Sequence, residues 1–302
     1  MTEKVLITGS NGLLGQKLVN FFKENYEVYA LSRGENRNLN TKGYTYYSID
    51  VTDFNKLDHL VNDVQPHFII NTAAMTNVDE CEVKQNECNI INVELVRQLT
   101  QACKSNNIHL IHISTDFIFD GKDGPYKETD TPNPLNHYGL TKLKSEEIII
   151  NAKIDYTIIR TILVYGIVDN MSRNNIILWI KDSIENKRVI TIIDDQFRMP
   201  TFVDDLAMAC QSVVHKKAEG IFNVSSNKLI SIYDMAIEIA NAFNLDKSYI
   251  KRITTSELKQ KAKRPAVTGF NLEKANLILV LPLVSFAERL QVFKNQLEAL
   301  NK

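Results

Sequence analysis

The chain opens with a strand that runs straight into a glycine turn. Residues 4–8 carry the apolar run Val5, Leu6 and Ile7. Gly9-Ser10-Asn11-Gly12-Leu13-Leu14-Gly15 follows, and Leu14, Leu18, Val19, Phe21 and Phe22 then recur at helical spacing. Strand, glycine turn and helix in that order point to a bound dinucleotide. One glycine makes the tight turn, one lets the backbone approach a pyrophosphate, and one lets helix and strand pack closely. The first turn of the helix offers free N–H groups and a positive dipole end to the phosphates. A cofactor is therefore expected against Gly9, Asn11, Gly12, Leu13 and Gly15.

The rest of the first half repeats the alternation. Strands are expected at 28–31, 45–49, 68–72, 110–114 and 156–160, with helices at 14–25, 53–64, 87–105 and 140–152. Asp53 suits an N-cap, and Pro66 breaks the chain before the next strand. This pattern predicts an α/β fold, a doubly wound Rossmann-type parallel sheet with helices on both faces. Residues 1–166 form the dinucleotide-binding domain in this reading. Residues 167–302 form mainly a smaller α/β substrate-binding domain, with segments near 190–224 returning to the sheet. That second part holds expected helices at 176–185, 202–215 and 231–243 and strands at 189–193 and 221–224.

Ligands of such sheets bind at the carboxyl ends of the strands. The residues at that edge are Gly9 onward, Ser32 and Arg33, Asp50 and Val51, Ala73 and Ala74, Thr115, and Thr161 onward. The second strand ends at Ser32-Arg33, where an NAD site usually places an acid for the ribose 2′-hydroxyl. Arg33 suits a 2′-phosphate instead, so NADPH is expected, with NADH as the alternative.

Tyr138 and Lys142 are four residues apart, one helical turn, so phenol and ammonium can serve one site. An ammonium favours phenolate and lowers a phenol's pKa. Such a phenol can give a proton to a carbonyl being reduced.

Net charge near −1, with 44% hydrophobic residues, is globular composition and gives no electrostatic reason to propose nucleic acid or an anionic membrane as partner. No apolar run approaches the ~18 residues of a membrane span, and no signal peptide is seen. Cys81, Cys88, Cys103 and Cys210 show neither zinc spacing nor a disulfide frame, which fits a reducing cytoplasm and no metal. A homodimer is the default expectation.

Longer blocks then carry a resemblance. They are Asn71-Thr-Ala-Ala74-Met-Thr76-Asn-Val-Asp79, Ser114-Thr115-Asp116-Phe-Ile-Phe-Asp120-Gly121 and Pro132-Asn-Pro134-Leu-Asn-His-Tyr138-Gly-Leu-Thr-Lys142. Arg160-Thr161-Ile-Leu-Val-Tyr165-Gly166 and Asp195-Gln196-Phe-Arg198-Met-Pro200-Thr201 continue the series. Over nearly its whole length the chain resembles the extended short-chain dehydrogenases/reductases, and more narrowly the dTDP-4-dehydrorhamnose reductases. The resemblance implies reduction of the C4 ketone of a nucleotide-linked 4-keto-6-deoxy sugar. It implies that Thr115 hydrogen-bonds the substrate carbonyl, that Tyr138 donates the proton, and that Lys142 holds the nicotinamide ribose and keeps the Tyr138 pKa low. It places Ala73, Ala74 and Thr76 along the cofactor, Asp50 and Val51 at the adenine, and Asp116, Phe117, Leu163, Gln196 and Arg198 at the sugar nucleotide. Leu163 stands where the family often carries Trp, and the tail departs from the usual ending after Arg264-Pro265, where Arg264 is a candidate for the diphosphate.

Two other readings stay open. One is a sugar-nucleotide epimerase of the same fold; a dehydratase is disfavoured because Phe117 stands where its glutamate would be. The other is a non-catalytic regulatory subunit similar to that of methionine adenosyltransferase.

Overall fold

The computed structural model describes residues 2–171, 175–258 and 260–300. In chain order the first half runs β1 (Lys4–Thr8), α1 (Leu13–Phe22), β2 (Glu27–Ser32), β3 (Tyr44–Ser48), α2 (Phe54–Val64) and β4 (Phe68–Asn71). The short helices α3 (Val78–Val83) and α4 (Gln85–Asn89) follow, then a π-helical turn (Ile90–Glu94), α5 (Leu95–Asn106), β5 (His109–Thr115), α6 (His137–Asn151) and β6 (Tyr156–Thr161). The second half contains α7 (Ile176–Glu185), β7 (Ile190–Ile193), β8 (Phe197–Arg198), α8 (Val203–Lys216), β9 (Gly220–Val224), β10 (Ile230–Ser231), α9 (Ile232–Ala242), β11 (Ile250–Ile253), β12 (Val267–Thr268), α10 (Glu273–Leu279) and α11 (Phe286–Leu300).

Seven strands form one sheet in the order β3-β2-β1-β4-β5-β6-β9, and every neighbouring pair is parallel. A sheet buried on both faces needs apolar residues on both, which is why its central strands read as continuous runs. Period-2 alternation splits them. Val5, Ile7, Phe68, Ile70, Ile111 and Ile159 pack with α1 and α8 on one face. Leu6, Ile69, Leu110 and Ile158 pack with α2 and α5 on the other. Strand order reverses between β1 and β4, which opens a crevice at their carboxyl ends.

Two asparagine or aspartate caps set helix entry angles. The Asp53 side chain accepts from Lys56 N at 3.3 Å at the start of α2. Asn136 accepts from Gly139 N at 2.8 Å and so fixes the turn of α6 that carries Tyr138. Further along, Glu146 of α6 meets Arg160 of β6 in a buried ion pair, with Nη2 at 2.7 Å and Nε at 3.1 Å from its carboxylate. Arg160 also donates to Glu128 O at 3.1 Å, so the pair is hydrogen-bonded on several sides.

The remaining elements make a second core in which α7, α9 and α11 pack around Tyr165, Phe286 and Phe293. From it a segment returns over the main sheet's upper edge: Val267 N donates to Gly121 O, and Gly269 O accepts from Tyr126 N at 2.7 Å. Among the described residues no helix is long and apolar enough to cross a membrane.

One expectation needs correction. The stretch 87–105 is not one regular helix. The π-helical turn interrupts it and places Asn92 inward, where its amide serves Met75 N, Met75 O and Thr141 Oγ1 at 2.8–3.1 Å. Within 190–224, β9 returns to the main sheet as expected and α8 packs on its face, while the pairing of the expected strand at 189–193 was not foreseen. Ile190–Ile193 pairs with Ile250–Ile253 in a separate two-stranded sheet, because a Lys-Arg centre hid that partner strand from the apolar pattern.

Arg160→Leu leaves the Glu146 carboxylate buried without its partner. Chemical denaturation should show a loss of about 3–5 kcal/mol, the range for breaking a buried pair from one side; a loss below about 1 kcal/mol would show that α6 does not depend on it.

Candidate active site

Gly9 takes φ +69°, a conformation that side chains disfavour, and turns the chain out of β1. Gly12 N donates back to Gly9 O at 2.8 Å. A Cβ on Gly15 would lie 2.2 Å from Gly9 O, and one on Gly12 would lie 3.1 Å from the same atom. So Gly15 lets α1 sit directly on the turn. Gly12 is the N-cap of α1, and no side chain caps it. The first N–H groups of α1 therefore face the crevice with the positive dipole end behind them. This cradle fits a pyrophosphate.

Asn11 contributes differently from the expectation. Its Nδ2 donates to Glu35 O at 2.8 Å and to Arg33 O at 3.3 Å, and its Oδ1 accepts from Arg37 N at 3.0 Å. The side chain braces the loop after β2, leaving its backbone for the crevice. That loop carries Ser32 and Arg33. The Arg33 guanidinium is 74% exposed and 3.8 Å from Asp50, a loose pairing that leaves it free to turn to an anion. Burial pulls the Asp50 carboxyl up, but hydrogen bonds from Thr52 and the Arg33 charge outweigh it and hold it below the ordinary range. Val51, Ala73 and Ala74 are half-buried at the same edge, and Thr76 is exposed. Ala73 N lies 3.4 Å from Thr8 Oγ1, which ties the β4 end to the β1 end.

Across the crevice β5 ends at Thr115 and α6 brings in Tyr138 and Lys142. The Thr115 side chain neighbours the Tyr138 phenol. Thr115 Oγ1 donates to Asp116 Oδ1 at 3.1 Å. Burial pushes the Tyr138 phenol up, the Thr115 side chain lowers it, and the Asp116 charge adds to the rise. The expectation that Lys142 keeps this phenol low is corrected: Lys142 Nζ turns to Ile113 O at 2.7 Å and His112 Nε2 at 2.8 Å. Burial lowers Lys142 itself to about 8, against the opposing charges of Glu146 and Cys88.

The residues expected at the sugar divide. Phe117 packs edge-on against Tyr138 with ring centroids 5.9 Å apart. Leu163 is partly exposed and holds φ +38°, a strained angle for leucine at the rim. Gln196 and Arg198 are buried and committed. Arg198 donates to Phe197 O at 2.7 Å, Pro265 O at 2.8 Å and Gln196 Oε1 at 3.0 Å, while Gln196 Nε2 donates to Thr255 Oγ1. They fasten the returning segment instead of facing the crevice. Arg264 forks onto Asp79 at 2.7 and 3.2 Å, pinning the same segment to α3. Asp116, fully buried, accepts from Thr268 of that segment as well, and burial raises its carboxyl.

Residues missed by sequence reasoning lie beneath. His112 and Asn71 are buried polar side chains under Lys142, and Asn92 and Cys88 contact Thr141 beside Tyr138. The available signal was a histidine and an asparagine inside otherwise apolar buried strands.

The model described as RmlD substrate binding domain matches residues 3–299. Methionine adenosyltransferase 2 subunit beta of Bos taurus is 33% identical over 260 residues, covering 84% of this chain and 76% of that protein. A dTDP-4-dehydrorhamnose reductase of Aggregatibacter actinomycetemcomitans is 30% identical over 285 residues, covering 90% and 91%. Among solved structures, the Bacillus anthracis dTDP-4-dehydrorhamnose reductase in complex with NADP superposes with TM-score 0.86 at 28% identity, covering 98% of this chain and 100% of that one.

Gly15→Ala must push α1 off the turn. Urea denaturation should show a loss of about 1–3 kcal/mol, the cost of overpacking, and dinucleotide affinity by titration should fall with it. Unchanged affinity would mean that the turn is not the phosphate cradle.

Proposed function

The chain belongs to the RmlD substrate-binding-domain family, and from that premise we propose that it reduces the C4 ketone of a nucleotide-linked 4-keto-6-deoxy sugar with NADPH. The observation that supports this reading is the neighbouring pair of hydroxyls, Thr115 and Tyr138, at the carboxyl edge with the glycine cradle. A carbonyl oxygen lodged there meets two hydroxyls at once. As its charge grows it takes the Tyr138 proton, while the Thr115 hydroxyl steadies it. Burial keeps Tyr138 protonated until that charge develops. The Lys142 ammonium, one turn along α6, then lies on the helix face where the phenolate forms. Gly9, Gly12, Leu13 and Gly15 would hold the pyrophosphate of a bound dinucleotide, with Ala73 and Ala74 along it, and its nicotinamide would supply the hydride. Arg33 supports NADPH over NADH as an exposed, loosely paired cation at the ribose end. Asp116 alone, followed by Phe117, gives no acid–base carboxylate pair for dehydration.

A second reading is favoured by the methionine adenosyltransferase subunits, which share more identity with the chain than the reductase does. In it the fold binds a dinucleotide and a partner protein without turnover.

NADPH oxidation with dTDP-4-keto-6-deoxyglucose separates the two. Turnover that Tyr138→Phe cuts by roughly 10²–10⁴-fold, with cofactor affinity spared, is the expected result. NADPH bound but never oxidised would move the assignment to the binding subunit. Arg33→Asp should weaken NADPH far more than NADH; equal effects would remove the 2′-phosphate role.

A further inference from the structure

Lys142 is a buried ammonium whose direct acceptors are neutral. The acid nearest along its helix, Glu146, is engaged by Arg160. The Cys88 thiol faces it from α4, and Tyr138 precedes it by one turn of α6. What Nζ reaches directly is Ile113 O at 2.7 Å and His112 Nε2 at 2.8 Å, both from β5. A buried ammonium needs acceptors for its three N–H donors. An imidazole accepts at Nε2 only when its hydrogen sits on Nδ1.

The far side of the ring continues the chain. His112 Nδ1 lies 3.2 Å from the Asn71 amide, whose other end meets Thr8 Oγ1 at 2.6 Å. His112 Nε2 also lies 3.1 Å from Ser145 Oγ. An amide turned over exchanges its donor and acceptor ends, so these heavy atoms carry two complete proton arrangements. With Lys142 charged, Nζ–H donates to Nε2, Nδ1–H donates to the Asn71 oxygen, and the Asn71 nitrogen donates to Thr8. With Lys142 neutral, Nε2–H donates to the Nζ lone pair and Ser145 Oγ. Nδ1 then accepts from the Asn71 nitrogen, and Thr8 donates to the Asn71 oxygen. The two differ by one proton, released from Lys142; the imidazole only exchanges which nitrogen bears its hydrogen. Its own protonation is suppressed, since burial and the Lys142 charge hold His112 well below its ordinary value.

We propose that His112 is the positioning residue of this site, holding Lys142 Nζ beneath the Thr115 edge and, through Asn71, setting how tightly Lys142 keeps its proton, a role that rests on the reductase reading for its effect on turnover. The ammonium is the form present below its folded-state pKa and lost above it. Removing its imidazole acceptor penalises that form, so proton loss moves to lower pH.

The test follows the Lys142 side chain by ¹³Cε NMR of lysine-labelled protein across pH, with Lys142→Met identifying the resonance. The native chain should titrate near the value of about 8 that burial sets. His112→Leu should bind the proton roughly 10–100-fold more weakly, the effect of losing a hydrogen bond to a charged group. His112→Asn, which stays polar but cannot reach Nζ, should do the same, and His112→Gln, whose carbonyl can stand in for Nε2, should restore the native titration. Native titration in the Leu and Asn variants, or an equal fall in all three, would overturn the role. No substrate is needed, so a chain without turnover would sink the reductase reading and leave this test decisive. Where turnover exists, the basic limb of kcat should move to lower pH in the Leu variant and return in the Gln variant.

Discussion

Helix α6 rests on the sheet with a polar face inward, and the arrangement of the site depends on how that face is satisfied. Thr141, Lys142, Ser145 and Glu146 are all buried. Uncompensated, such groups would oppose folding, since each buried donor or acceptor left unmatched costs about 1–3 kcal/mol and a charge costs more. Each finds a partner: Thr141 on Asn92 of the π-helical turn, Lys142 and Ser145 on β5, and Glu146 on Arg160 of β6. Apolar faces tolerate sliding because any contact serves. A one-to-one polar match permits one register, and that register delivers Tyr138 to Thr115.

The glycine turn imposes the complementary constraint from the other side of the crevice. Gly15 brings α1 onto the Gly9 carbonyl, and α1 in turn packs against α8 across the sheet face. The cradle and the hydroxyl pair thus sit on different strands of one rigid sheet. Their separation is fixed by strand spacing and order, with no hinge between them in the main chain of the sheet. The returning segment closes the upper edge with its own polar fasteners, Arg264 on Asp79 and Arg198 on the carbonyls of Phe197, Ala266 and Pro265.

Much of this was legible in the sequence, because periodicity and glycine spacing report backbone demands directly. The alternation of strand and helix, the Asp53 cap and the Tyr138–Lys142 spacing each follow from local rules. The failures share a cause. Gln196, Arg198 and Arg264 look like ligand-facing polar residues in a linear string, yet their partners are carbonyls and an acid up to 185 positions away. The bracing role of the Asn11 side chain was not legible either, since its partners lie 22 to 35 residues downstream. The π-helical turn at Ile90–Glu94 is invisible locally because it exists to aim Asn92 at α6. Pairing across the fold decides a polar side chain's role, and one-dimensional patterns carry little of it.

The protonation state from which the proposed chemistry starts also follows from burial. A phenol lowered toward neutrality serves as a base as readily as an acid. Tyr138 is instead pushed up by burial, so it holds its proton firmly at physiological pH. An oxygen that is gaining charge from a hydride is a far stronger base than phenolate, so transfer to it remains downhill. The reverse step, taking a proton from an alcohol, would first require ionising a buried phenol beside Asp116. Lys142 does not relieve that cost, since its Nζ is turned to Ile113 O and His112 Nε2. The protonated phenol is therefore the form from which the proposed donation to a ketone starts.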